Sequence, residues 1–130
     1  MTSLEDIIES FSFLDSWEDK YQYLIELGEA LEPYPTQQKT DAYKVDGCMS
    51  QVWLYPVKNG DKYHLIADSD AILVKGLIAI ILAAYSDKTS AERHSVPIDE
   101  IFQKLGLENN LSPTRRNGFF SMVNKIKTLD

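Results

Sequence analysis

The sequence predicts an α+β fold: two N-terminal helices, a small three-stranded antiparallel sheet, then a buried central helix and further C-terminal helices. Three observations carry this expectation. Two segments before Pro33 place apolar residues at one-face helical spacing behind serine caps. A middle block rich in β-branched and aromatic residues surrounds an Asn-Gly turn, and the stretch from Ala71 to Tyr85 is apolar on almost every face. The 130 residues hold no repeat, no low-complexity tract and no long linker, so one domain spanning 1–130 is expected.

Ser3, with Asp6 three residues on, caps a short first helix whose Leu4, Ile7, Ile8 and Phe11 share a face. Ser16 and Asp19 repeat the signal for a longer one, in which Trp17, Tyr21, Leu24, Ile25, Gly28 and Leu31 run until Pro33 ends it. Pro33 to Ala42 reads as an irregular surface connection. Tyr43 to Val45 is expected as a short strand, leaving Asp46 to Met49 as a loop before Gln51 to Val57. That strand turns at Asn59-Gly60 and returns as Tyr63 to Ala67. Pro56 cannot donate to a ladder, so the strand ends there or lies at an edge.

Asp68 and Ser69 are good caps, and Asp70, placed in the first turn, suits the dipole of the central helix that follows. Gly76 inside it points to close backbone packing. Thr89 or Ser90 caps a short turn, Pro97 opens a helix that Gly106 closes, and Ser112-Pro113 starts a last helix with Phe119, Phe120, Val123, Ile126 and Leu129 inward.

Thirteen Lys and Arg against twenty Asp and Glu give a net charge of −7, which excludes a nucleic-acid binder that needs a basic stripe. The longest strongly apolar run, Leu77 to Tyr85, is far short of the ~20 residues that span a bilayer. Met1 to Ser10 carries Glu5, Asp6 and Glu9 and no basic residue, unlike a secretory or transit signal, so a cytoplasmic protein is expected. One cysteine, Cys48, and two histidines, His64 and His94, cannot form a disulfide or a Cys/His zinc site, and no metal site is expected.

Cys48 is the residue with chemistry to offer. Free cysteine is most often a small buried hydrophobe. Here, however, Gly47 precedes it and Ser50 follows, so it sits where the chain bends between strands and is well presented for attack. Arg115 and Arg116 fall in the first turn of the last helix, where the dipole disfavours cations, which points to an anion or a partner's carboxylate as well as to plain solvation. His64 and His94 have no acid or base partner that the sequence reveals.

Val45-Asp46-Gly47-Cys48-Met49-Ser50-Gln51-Val52-Trp53 resembles the active-loop motif V-x-G-C-x-S-x-V-W of the SufE/CsdE family of sulfur acceptors. The resemblance continues at Asp68-Ser69-Asp70-Ala71, at Val74-Lys75-Gly76-Leu77 and at Leu111-Ser112-Pro113-Thr114-Arg115 with Gly118 and Met122. It implies a SufE/IscU-like fold. It also implies that Cys48 takes persulfide sulfur from a pyridoxal-phosphate cysteine desulfurase of the SufS or CsdA type, stimulates that enzyme, and passes sulfur to a SufBCD-type scaffold for iron–sulfur cluster assembly. The pyridoxal phosphate belongs to the partner, and this chain binds no cofactor of its own.

With a single cysteine the chain resembles a carrier rather than a scaffold. By the same resemblance Gly47, Ser50 and Arg115 support the loop and its thiol, and Asp70 and Lys75 fall on the surface facing the desulfurase. Asp46 departs from the neutral or basic residue expected there, which bears on partner preference. Two other readings stand beside this one: an activator that works by docking alone with a structural cysteine, and a thiol sensor that forms sulfenic acid or a mixed disulfide. A homodimer that shields the thiol is compatible with the carrier.

Overall fold

A computed structural model describes residues 2–129. Its helices are α1 (Leu4–Ser12), α2 (Trp17–Glu29), α3 (Ile72–Tyr85), α4 (Ser90–His94), α5 (Ile98–Lys104) and α6 (Pro113–Lys127). Three strands, β1 (Val52–Asn59), β2 (Lys62–Ser69) and β3 (Lys88–Thr89), form an antiparallel sheet in that order. The expected α+β architecture is present. Among the described residues no helix is long and apolar enough to cross a membrane.

The caps work as the sequence indicates. Ser3, Ser16 and Ser112 each accept a hydrogen bond at 3.2 Å from the amide three residues on, and Thr89 forms a reciprocal capping box with Glu92. Alternation sorts the hairpin into two faces. Val52, Leu54, Leu65, Ala67 and Ser69 are buried on one. On the other, Trp53 and Tyr55 are covered by the 30–44 connection, with Tyr43 edge-on to Tyr55 at 5.0 Å and the Lys39 ammonium 5.2 Å from the Trp53 ring. Lys39 also pairs with Asp68 at 2.8 Å, and Lys75 approaches the same carboxylate at 3.6 Å. Burial alone would raise the Asp68 pKa, but these lysines and the Ser69 backbone outweigh it and hold the carboxyl below its ordinary value.

Helix α3 is the centre of the molecule, with Leu73, Leu77 to Leu82, Ala84 and Tyr85 buried. Its close approach to α2 rests on glycine. A Cβ at Gly76 would collide with the Leu24 carbonyl oxygen, and one at Gly28 would lie 2.8 Å from the Lys75 Cβ. The close packing expected at Gly76 is therefore what the fold uses.

Four details depart from the sequence reading. Tyr43 to Val45 is not a strand: Asp41–Tyr43 is a 3-10 turn, and only an isolated Lys44–Trp53 bridge remains of the pairing. The third strand is instead Lys88–Thr89, paired with Tyr63 and Lys62, and two residues are too few to show a period in sequence. Asp70 lies outside α3, whose cap position is Ala71, because β2 keeps its partner as far as Ser69 and Asp70 goes on bonding to Gln51. His64, for which the sequence reveals no partner, bonds to Glu32 at 2.7 Å and Asp87 at 2.9 Å, both remote along the chain. Pro56 sits inside β1, which runs on to Asn59, as an edge strand allows.

Gly76→Ala gains about 1 kcal/mol of helix propensity but forces a methyl group onto a backbone carbonyl that no rotamer change can move. Overpacking of that kind costs typically 1–3 kcal/mol or more, so urea unfolding should show a net loss of stability. For His64, hydrogen bonds to Glu32 and then Asp87 raise the pKa above the ordinary histidine value. Its contribution is then fully present below about pH 6.5 and is lost as pH rises through the raised folded value. The melting temperature of His64→Gln should fall further below wild type at pH 5.5 than at pH 9.

Candidate functional site

The Cys48 loop is closed at its base by backbone. Val45 N–H donates to the Val52 carbonyl at 2.8 Å, and Lys44 bridges to Trp53. At the second foot the Gln51 amide donates to the Asp70 carboxylate at 3.1 Å, while the Asp70 amide donates to the Gln51 carbonyl at 3.2 Å. Asp70 thus clasps residue 51 from both sides. Between these feet the chain turns through Gly47 at φ +88, a left-handed conformation that an L side chain rarely adopts. Gly47 also rests against α6, since a Cβ there would lie 2.6 Å from the Ser121 Oγ.

Cys48 is half-buried, and its thiol donates to the Gly118 carbonyl at 3.7 Å. Gly118 lies one turn after Arg115 on α6, and a Cβ on it would stand 3.5 Å from the sulfur. The thiol sits at a small cavity of about 40 Å³, room for a water-sized atom or two. Val74, Leu77, Ile78 and Ile81 of α3 line it from one side and Phe119 and Met122 of α6 from another. Met49, Ser50 and Val52, with Thr114, Arg115 and Gly118, complete the wall.

Burial raises the Cys48 pKa above the ordinary thiol value, and the nearby Asp46 carboxylate adds to the rise. The resting side chain is therefore a protonated thiol at neutral pH, sheltered and slow to react, because the thiolate is the nucleophile. Reactivity has to come from a change in this environment.

Of the residues the sequence singles out, Cys48, Ser50 and Arg115 meet at this cavity, and Gly47 shapes the loop above it. Asp70 stands at the foot of that loop with its side chain exposed. Lys75 is apart from the cavity, between Gly28 of α2 and Asp68 of β2. Arg116 turns away to Glu108 at 3.2 Å and to the Phe102 ring. Sequence reasoning missed the role of the Gly118 carbonyl and the contact of Ser121 with Gly47. One turn of helix between Arg115 and Gly118 was the available signal.

Comparison with known proteins bears on the whole chain. The family model for SufE, described as an Fe-S metabolism associated domain, matches residues 5–130. An uncharacterised SufE-like protein of Rhizobium etli is 49% identical, over 98% of this chain and 88% of its own length. One of Rhizobium meliloti is 46% identical, over 98% and 94%. A solution structure of a hypothetical protein from Thermus thermophilus superposes with a TM-score of 0.75 at 21% identity, covering 95% of this chain and 90% of that one, so the fold is shared.

The alkylation rate of Cys48 by iodoacetamide should reach half its maximum at a higher pH than that of an unstructured cysteine peptide. Gly47→Ala forces an unfavourable φ costing about 1–3 kcal/mol, so it should unseat the loop from α6 and speed alkylation at pH 7.

Proposed function

The chain belongs to the SufE family, associated with Fe-S metabolism, and on that premise we propose that it is a transpersulfidation protein. Cys48 accepts sulfur from a pyridoxal-phosphate cysteine desulfurase of the SufS or CsdA type, stimulates that enzyme by unloading it, and hands the sulfur on, in the cytoplasm, to a SufBCD-type scaffold. The observation that carries the reading is a lone cysteine held at the mouth of an apolar cavity by a loop with few ties.

The chemistry is a redox-neutral displacement. The Cys48 thiolate attacks the outer sulfur of the donor's Cys–S–SH, a new S–S bond forms at the Cys48 sulfur, the donor's S–S bond breaks, and its cysteine leaves as a thiolate. The proton lost from Cys48 is balanced by the one the departing thiolate can take up. Because the chain has no second cysteine, no resolving thiol of its own attacks the product.

Two demands shape the site. A carried persulfide must be kept from reductants and from other thiols, which favours the apolar seat. A nucleophile must ionise, which the same seat opposes. The loop meets both if it swings out on contact with the donor, since its seat is a thiol–carbonyl hydrogen bond, a glycine contact on α6 and the packing of one half-buried cysteine side chain. Arg115, at the cavity wall, supports the loop or meets the partner's carboxylate, and by the family resemblance Asp70, at the foot of the loop, and Lys75 belong to the donor-facing side.

Intact-mass spectrometry after incubation with a desulfurase and L-cysteine, without reductant, tests this. Wild type should gain one reductant-labile sulfur, and Cys48→Ser none. If Cys48→Ser gains none yet stimulates the desulfurase fully without added reductant, the protein works by docking alone and the thiol is structural.

A further inference from the structure

We propose that Lys39 is a positioning residue for the Cys48 loop: from the 33–44 connection its ammonium clamps the row of residues Lys44, Trp53 and Asp68, and with it the foot through which the chain enters the loop. The proposal concerns the resting thiol and stands apart from the transpersulfidation reading, since nothing in it requires a sulfur donor.

The sheet lays out the row. Trp53 of β1 pairs with Asp68 of β2 across the ladder, and on its other side Trp53 bridges to Lys44. Val45 follows Lys44, and its amide donates to the Val52 carbonyl at the foot of the loop. Lys39 reaches two members of the row at once, with its Nζ 2.8 Å from the Asp68 Oδ2 and 5.2 Å from the centre of the Trp53 ring. Asp68 also meets Lys75 of α3 at 3.6 Å, so the clamp joins the connection, the hairpin and the central helix.

The connection itself has a light hold on the fold. Residues 33–44 are all exposed or half-buried. Their backbone hydrogen bonds close their own turns, from Gln38 to Pro35, Lys39 to Thr36, Tyr43 to Thr40 and Lys44 to Asp41. The Tyr34 hydroxyl likewise donates within the segment, to the Gln38 carbonyl at 2.8 Å. Against the sheet the segment lays the Tyr43 ring on Tyr55 and the Lys39 ammonium on Trp53 and Asp68.

The clamp therefore sets the length of chain that is free to carry the thiol. With the row closed, the free arm is residues 46–50, between Val45 at one foot and Gln51 at the other. With the row open, the arm reaches back to Pro33. The entropy lost on closing a flexible segment grows as three halves of the logarithm of its length, so return of Cys48 to its seat becomes less favourable by up to about sevenfold. Val45 is buried and keeps part of the foot in the core, which limits the effect of removing Lys39 alone to about threefold.

The test follows alkylation of Cys48 by iodoacetamide in the full chain carrying Trp17→Phe, a background in which Trp53 is the one tryptophan. Lys39→Gln should raise the rate at pH 7 by about threefold and move the pH of half-maximal rate down toward that of an unstructured cysteine peptide, because the thiol spends more time in water. Its Trp53 emission should shift to longer wavelength. Lys39→Arg keeps the charge and can stack on the ring, so it should restore both readouts. Lys58→Gln removes the same charge from an exposed position on β1 and should alkylate like the background chain. His64→Gln, which loosens the other end of β2, should lower the melting temperature without changing the rate, and so separates positioning from general stability.

The proposal is overturned if Lys39→Gln alkylates at the background rate, whether or not the Trp53 emission moves. It is overturned equally if Lys39→Arg is as fast as Lys39→Gln, or if Lys58→Gln or His64→Gln matches the Lys39→Gln rate.

Discussion

Everything in this molecule leans on one helix that is almost wholly buried beyond its first turn. Helix α3 meets α2 through Gly76, meets the sheet through its buried leucines and isoleucines, and turns Val74, Leu77, Ile78 and Ile81 toward the cavity under Cys48. The glycine contact fixes how far α3 can sit from α2. α3 also packs on α6, and the cavity lies between the two. A site of about 40 Å³ has little tolerance, because close-packed interiors transmit small displacements. The floor of the reactive site is therefore built on the same helix that carries the Gly76 contact.

Against this rigid floor the thiol faces opposed requirements. Burial protects a sulfur atom and suppresses the thiolate by the same physical cause, removal of water from around a charge. A chain with two cysteines has a disulfide available to store or release oxidising equivalents. With Cys48 alone, the available control is where the side chain stands. Asp46 sharpens the contrast, since it holds the resting thiol further from ionisation while being the loop charge easiest for a partner to neutralise.

Much of this was legible in the sequence, and the unread parts share a cause. Serine caps, the apolar run of α3 and the alternation of the hairpin are local signals, and each produced its element. The Cys48 loop was legible because glycine and serine around a cysteine mark a turn, and the family motif lies on the same residues. What failed depended on partners far along the chain. Asp70 reads as a helix-start residue until Gln51 is beside it, and His64 reads as isolated until Glu32 and Asp87 arrive from two other elements. Arg93 is the extreme case: wholly buried, it donates to the Lys88 and Leu129 carbonyls and lies 5.3 Å from the Tyr63 ring, tying the end of α6 to the sheet. In sequence it is one more cation on a short polar helix.

The same distinction between local and remote ties bears on how the loop can move. The floor of the cavity is made of residues that belong to the central cluster, so it opens only when the fold does. The loop above is held by the bonds at its two feet, by a long thiol–carbonyl hydrogen bond and by the seat of Gly47 on α6. Its first and last ties sit at the bases, where breaking them is not required for the tip to lift. The thiol bond, worth about 0.5–1.5 kcal/mol net in water, the Gly47 contact and the packing of the half-buried Cys48 side chain against the core oppose lifting. A partner that replaces those contacts with its own can expose Cys48 at a cost far below the roughly 5–15 kcal/mol that holds a domain folded. The apolar seat stays intact beneath it, ready to take the side chain back with one more sulfur attached.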